Sequence, residues 1–278
     1  MASAASEIGQ GSNLLLHSTK RSIKALSESP DLTSIPSSYA FITNPGEVVS
    51  DPHDDPLPII DYSLLISGTP DQRSKAIHDL GKACEEWGFF MVVNHDIPKT
   101  LMEKMFVEVF GFFNLTEEEK QEYAGKHVLD PIRCGTSFNS SVEKVFFWRD
   151  FLKIFVHPEF HSPDKPAGFR ETCEQESGST VNAIPNCLVV NVSDHIEILS
   201  NGKYKSVLHK AVVSSKATRI SIAVANGPSG DTFVVPAAEL VKKESNPAAY
   251  VGMKYKEYLG LQQSNQLDGK SALDRVRI

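Results

Sequence analysis

The sequence predicts an α+β protein, helical up to about Glu176 and rich in strands after Pro185. Three observations carry this. Thr69–Gln72 and Thr116–Glu119 each have the spacing of a capping box, in which the two side chains satisfy each other's backbone N–H at a helix start. The run "FFMVVNH" is too short and too β-branched for a helix and reads as a buried strand. Three later runs, "CLVVNV", "SVLHKAVV" and "RISIAVAN", carry apolar residues over strand lengths.

Residues 1–56 are rich in Ser, Pro and Asp and read as a flexible arm with a short helix. "DPLPIIDYSLL" reads as a first strand, confined by Pro56 and Pro58 to a sheet edge or a strand start. "GTPDQRSKAIHDLGKACEEWG" reads as a helix with Pro70 at its first position, a stripe of Ile77, Leu80, Cys84 and Trp87, and Gly88 as its stop. A second helix follows from about Lys99, with Leu101, Met105 and Phe112 near one face, and a third from Thr116. Residues 130–166 are aromatic, broken by Pro and Gly, and read as irregular. A helical opening at Phe169 breaks at Ser177-Gly178-Ser179-Thr180, and from Pro236 the chain reads as a helical or mobile tail.

The net charge of −7 leaves no basic excess to neutralise phosphates, which argues against nucleic acid and against anionic membrane as partners. Cys84, Cys134, Cys173 and Cys187 are widely scattered, as expected of reduced thiols rather than a disulfide framework. No apolar run reaches bilayer length. The Ser-rich, acid-poor start lacks the apolar core of a secretory signal; it is compatible with a transit peptide, but it reads better as an amphipathic lead-in, and the expectation is cytoplasm.

The chemistry-bearing residues lie late. Residues two apart in a strand share a face, so Arg219 and Ser221 point together, away from Ile220, Ile222 and Val224. A guanidinium beside a hydroxyl makes a carboxylate seat. On spacing alone, a water-facing arginine beside an ordinary serine is the commoner outcome. His209, ten positions before Arg219, is likewise more often a hydrogen-bonded histidine than a metal ligand when taken alone.

Longer matches change that balance. "LPIIDYSLL", "ACEEWGFFMVVNHDIP", "FFNLTEEEK" and "WRDFL", then "VNAIPNCLVVNVSDHIEILSNGKYKSVLHKAV" and "RISIA", occur in order. Together they resemble the plant 2-oxoglutarate- and Fe(II)-dependent dioxygenases. The resemblance implies a helical lead-in domain over 57–176, part of a double-stranded β-helix, or jelly roll, over 181–260, and a tail over 261–278. It implies His209 as an iron ligand, and Arg219 and Ser221 as the seat of the far carboxylate of 2-oxoglutarate. It implies Fe(II), 2-oxoglutarate and ascorbate as cofactors, and a small organic metabolite as substrate for hydroxylation, demethylation or desaturation.

Such sites hold iron with two histidines and one carboxylate. The first histidine and the carboxylate normally form His-x-Asp on an earlier strand, and no such pair stands in a matching context here. The resemblance breaks off at Glu176 and resumes at Val181, so a block carrying the early barrel strands is missing and the jelly roll is incomplete. Three His-x-acid triplets exist: His53-Asp54-Asp55, His157-Pro158-Glu159 and His195-Ile196-Glu197. The first lies in the arm, proline interrupts the second, and the resemblance assigns no ligand to the third. His95 falls in a matched segment without a ligand role, and Asp96 stands where the family usually has glycine, at a turn that Asp tolerates. The expectation is an oxidoreductase by descent with impaired or no activity in this chain; the alternative is an inactive homologue that binds or regulates.

Overall fold

A computed structural model describes residues 22–39, 56–127, 129–136, 147–176, 186–209, 211, 217–242, 245–264 and 271–278. The N-terminal lead-in, the triplet at His53, most of the arm and the Ser177–Thr180 break lie outside these residues. Within them, the elements are α1 (Ile23–Ser27), β1 (Ile59–Asp61), α2 (Tyr62–Ser67), α3 (Pro70–Glu86), β2 (Phe89–Val93), α4 (Lys99–Phe113) and α5 (Glu117–Gln121). A hairpin of β3 (Ile132–Gly135) and β4 (Phe151–Ile154) follows, then α6 (Phe169–Glu176), β5 (Leu188–Asn191) and α7 (Asp194–Leu199). The C-terminal part holds β6 (Phe233–Val234), β7 (Met253–Lys254), α8 (Tyr255–Ser264) and α9 (Ser271–Asp274).

Both capping boxes form. Gln72 N–H donates to Thr69 Oγ1 at 3.3 Å while Thr69 N–H donates to Gln72 Oε1 at 2.9 Å, and Thr116 and Glu119 repeat the arrangement at 3.2 and 3.0 Å. The buried face of α3 differs from the predicted stripe, because Ala76, Ala83, Leu80 and Cys84 turn inward while Ile77 is 53% exposed. The two alanines let the helix lie close to the sheet, and a branched side chain at their positions would hold it off. β1 is indeed an edge strand, parallel to β2, and β5 closes the other side antiparallel with Phe90 opposite Val190.

Three cores result. Ile60, Ala83, Phe90, Val92, Leu188 and Val192 join α3 to the sheet. Met105, Phe112, Phe169 and Cys173 join α4 to α6, with Phe112 fully buried; burying a side chain of that size stabilises by about 1.5–3 kcal/mol. Ile198, Val234, Tyr250, Tyr258, Ala272, Leu273 and Val276 form the third, so residues 271–278 of the predicted tail are packed.

Two predicted strands do not form among the described residues: 206–209 and 211 of "SVLHKAVV" and all of "RISIAVAN" join no ladder. A strand needs a neighbour for its N–H and C=O groups, and none is supplied among the described residues. Conversely, β3 and β4 lie within the stretch read as irregular, with Arg133 opposite Lys153.

Candidate functional site

Gly88 positions the segment that carries His209. It ends α3 at φ 67°, and its lack of a side chain admits the Lys205 carbonyl and Val207 side chain, which a Cβ would overlap. Lys205 N–H donates to the Cys84 carbonyl at 3.0 Å. His209 follows, exposed, its ring edge-on to Phe89 with centroids 5.0 Å apart. His209 Nδ1 lies 3.0 Å from the Val207 carbonyl, which can only accept, so Nδ1 carries a proton and, in the neutral form of the ring, the lone pair is on Nε2. An imidazole fixed this way has a metal-binding nitrogen to offer.

Arg219 and Ser221 are exposed, whereas Ile220, Ile222 and Val224 are half-buried. Ile222 packs on the cluster of Met105, Phe112, Phe169 and Cys173, which turns the arginine and the serine together toward solvent. The segment keeps the face alternation of a strand without a ladder.

The other described histidines put forward by the sequence, His95, His157 and His195, have surroundings of their own. His95, 8% exposed, accepts from Ile97 N–H at 3.2 Å through Nδ1, and its Nε2 has no partner. Asp96 beside it adopts φ 61°, a left-handed turn of the kind Asp tolerates. His157 and Glu159 are exposed in a loop, and Glu159 stands 3.9 Å from His161 instead. His195 lies between the rings of Tyr255 and Tyr258, at centroid distances of 4.6 and 4.7 Å. Burial pushes its pKa below the usual imidazole value, and the Asp194 carboxylate opposes that only in part.

Glu197 is not a ligand in waiting. Its carboxylate accepts from Ser206 N–H at 2.6 Å, Tyr250 Oη at 2.7 Å and Arg277 Nη2 at 3.1 Å. Asp194 similarly accepts from Ser206 Oγ at 2.6 Å, Tyr258 Oη at 2.8 Å and Gln262 Nε2 at 3.0 Å. This double network was not legible in the sequence, because its donors lie up to 80 residues away and no local signal marks them. Among the described residues no group of three His, Cys, Asp or Glu side chains could hold a metal ion. The residues described therefore do not fit a three-ligand iron centre.

Residues 57–175 match the family model for the non-haem dioxygenase in morphine synthesis N-terminal region, and residues 159–228 match the 2OG-Fe(II) oxygenase superfamily. The chain is 33% identical to 2-oxoglutarate-dependent dioxygenase 19 of Oryza sativa subsp. japonica, over 80% of this chain and 90% of that protein. It is 27% identical to codeine O-demethylase of Papaver somniferum, over 89% of this chain and 93% of that protein. The crystal structure of JOX2 in complex with 2OG, Fe and JA shares its fold with a TM-score of 0.75 at 20% identity, covering 93% of this chain and 98% of that one.

The rice alignment has an uneven length. It runs over 305 positions but takes up 80% of 278 residues, about 222, so about 80 positions of the relative face no residue here. The poppy alignment behaves alike, with 339 positions against 89% of this chain, about 247 residues. Fe(II) and 2-oxoglutarate are the family's cofactors, and its matched relatives act on small molecules. A third-identical relative matched along nine tenths of its length, with both family models in order, places this chain in the 2-oxoglutarate- and Fe(II)-dependent dioxygenase family.

Proposed function

We propose that this chain is a shortened member of the family, descended from an enzyme that hydroxylated, demethylated or desaturated a small organic metabolite, and that by itself it does not turn over 2-oxoglutarate. The observation that carries this reading is the solitary state of His209, exposed and without a described donor cluster. Affinity for ferrous iron comes from several ligands held together, and one imidazole with open water positions binds it weakly. His209, Arg219 and Ser221 are then the remnants of an iron and 2-oxoglutarate site whose other half lay in the block missing between Glu176 and Val181. Purified protein with Fe(II), ascorbate and carboxyl-labelled 2-oxoglutarate should release no more carbon dioxide than a His209→Ala control. Release well above that control would sink the reading.

A binding or regulatory role is the second reading. It is favoured by the lead-in domain, whose two cores around Phe90 and Phe112 are assembled. Retention of a small dicarboxylate at Arg219, lost in Arg219→Ala, would support it by equilibrium dialysis.

A further inference from the structure

We infer that the extended segment Thr218–Asn226 is an acceptor for β-strands supplied by a second polypeptide, equivalent to the internal stretch that relatives possess and this chain lacks. This rests on the reading of the chain as a shortened family member. Five observations carry it. Among the described residues, the backbone N–H and C=O groups of Thr218–Pro228 make no hydrogen bond. Ile222 is nevertheless seated on the α4–α6 core, and half-buried and exposed residues alternate unbroken from Arg219 to Ala225, the pattern of a strand with one face covered. A stretch rich in β-branched residues, with Arg219 as its single charge and its ladder groups unbonded, is the kind of template that strand addition uses. Beside the His209 segment, Val207 and Leu208 are 40% and 62% exposed, an apolar margin that a sheet would cover.

The other two observations say what the cover is. The alignment leaves about 80 positions of the rice relative opposite no residue of this chain, while the family models match this chain over 57–175 and 159–228. The JOX2 structure, matched over 98% of its length with a TM-score of 0.75, shares the fold to which this chain belongs. The occupant is therefore a polypeptide with the strand pattern of that stretch, and the two together make one sheet. A second copy of this chain lacks the same stretch and cannot supply it.

The test uses the full 278-residue chain and, as probe, a recombinant polypeptide comprising the residues of the rice relative that align with none here. A polypeptide of the same composition in reversed order is the control. Hydrogen exchange followed by mass spectrometry should show amides 218–226 slowed at least tenfold by the probe and unchanged by the control. Ser221→Pro and Val224→Pro remove N–H groups from opposite edges of the strand, and neither group is bonded in the chain alone. At least one of the two should lose capture of the probe while keeping the far-ultraviolet circular dichroism of the parent chain. No slowing, equal slowing by the control, slowing by self-association before the probe is added, or undiminished capture by both proline variants would overturn the inference. Carbon dioxide release by the chain alone tests the proposed function separately and leaves this outcome readable.

Discussion

Arg277, the penultimate residue, places Nη2 3.1 Å from Oε1 of Glu197, whose side chain is 5% exposed while that of the arginine is 50% exposed. The same carboxylate oxygen takes the Tyr250 hydroxyl, so the end of the chain is fastened to α7 through one buried acceptor. Half of the ion pair faces water, which limits what the guanidinium contributes. The acceptor matters more than the cation, because three donors converge on it.

Glu197→Ala should therefore destabilise the protein by about 2–4 kcal/mol, since it leaves Tyr250 Oη and Ser206 N–H without their acceptor. Arg277→Ala should cost no more than about 1 kcal/mol. Urea unfolding of the two variants checks the order, and a larger loss from the arginine would contradict it.

Tyr258 supplies a pH signature. Burial raises its hydroxyl pKa above the ordinary phenol range, and donation to the Asp194 carboxylate raises it further. A pKa raised on folding means that the native state holds its proton more tightly than the unfolded chain does. The contribution is complete below about pH 10, the value for an unfolded tyrosine, and declines above it. Melting temperature should fall as the pH rises above about 10, and fall less in Tyr258→Phe, which has no proton to lose.

Gly88→Ala combines two penalties. Its φ of 67° disfavours any side chain, and a Cβ would meet the Lys205 carbonyl. A loss of about 2 kcal/mol or more is expected, with the Lys205 amide exchanging faster because its bond to Cys84 is pushed apart. A variant as stable as the parent would show that the Lys205 segment yields without strain.

Asp150 holds α1 against the lead-in domain. Its two carboxylate oxygens accept from Ile23 N–H at 2.8 Å and Lys24 N–H at 2.9 Å, while Ser22 Oγ donates to Glu117 at 2.7 Å. Asp150→Ala should cost about 1–2 kcal/mol locally. It should speed exchange at amides 23 and 24 and tryptic cleavage after Lys24, leaving Phe112 and its neighbours protected.

The helices were legible because their determinants are close in sequence. A capping box is settled within three residues, and the Thr69 and Thr116 starts appear where the spacing puts them. The left-handed turn at Asp96 was likewise readable from residue type. Even so, the inward face of α3 was misread, since only the sheet opposite decides whether an alanine or an isoleucine fits. The helix α7 was missed although Asn201-Gly202, both at positive φ, supplies a stop signal after it. The Arg133–Lys153 hairpin was missed because its two strands are separated by a long connection, whose Ser- and Asn-rich start signals a loop but does not set which strands pair across it.

The sequence by itself determined the family, the capped helices α3 and α5 and the face on which Arg219 and Ser221 stand, because each depends on residue order or on a two- or four-residue period. Only the tertiary structure decided that "SVLHKAVV" and "RISIAVAN" join no ladder where described, and that the acid of the His195 triplet is spent on Tyr250, Ser206 and Arg277. The reason is where the hydrogen bonds close. A helix satisfies its backbone within itself, whereas a strand and a buried carboxylate need groups brought from far along the chain.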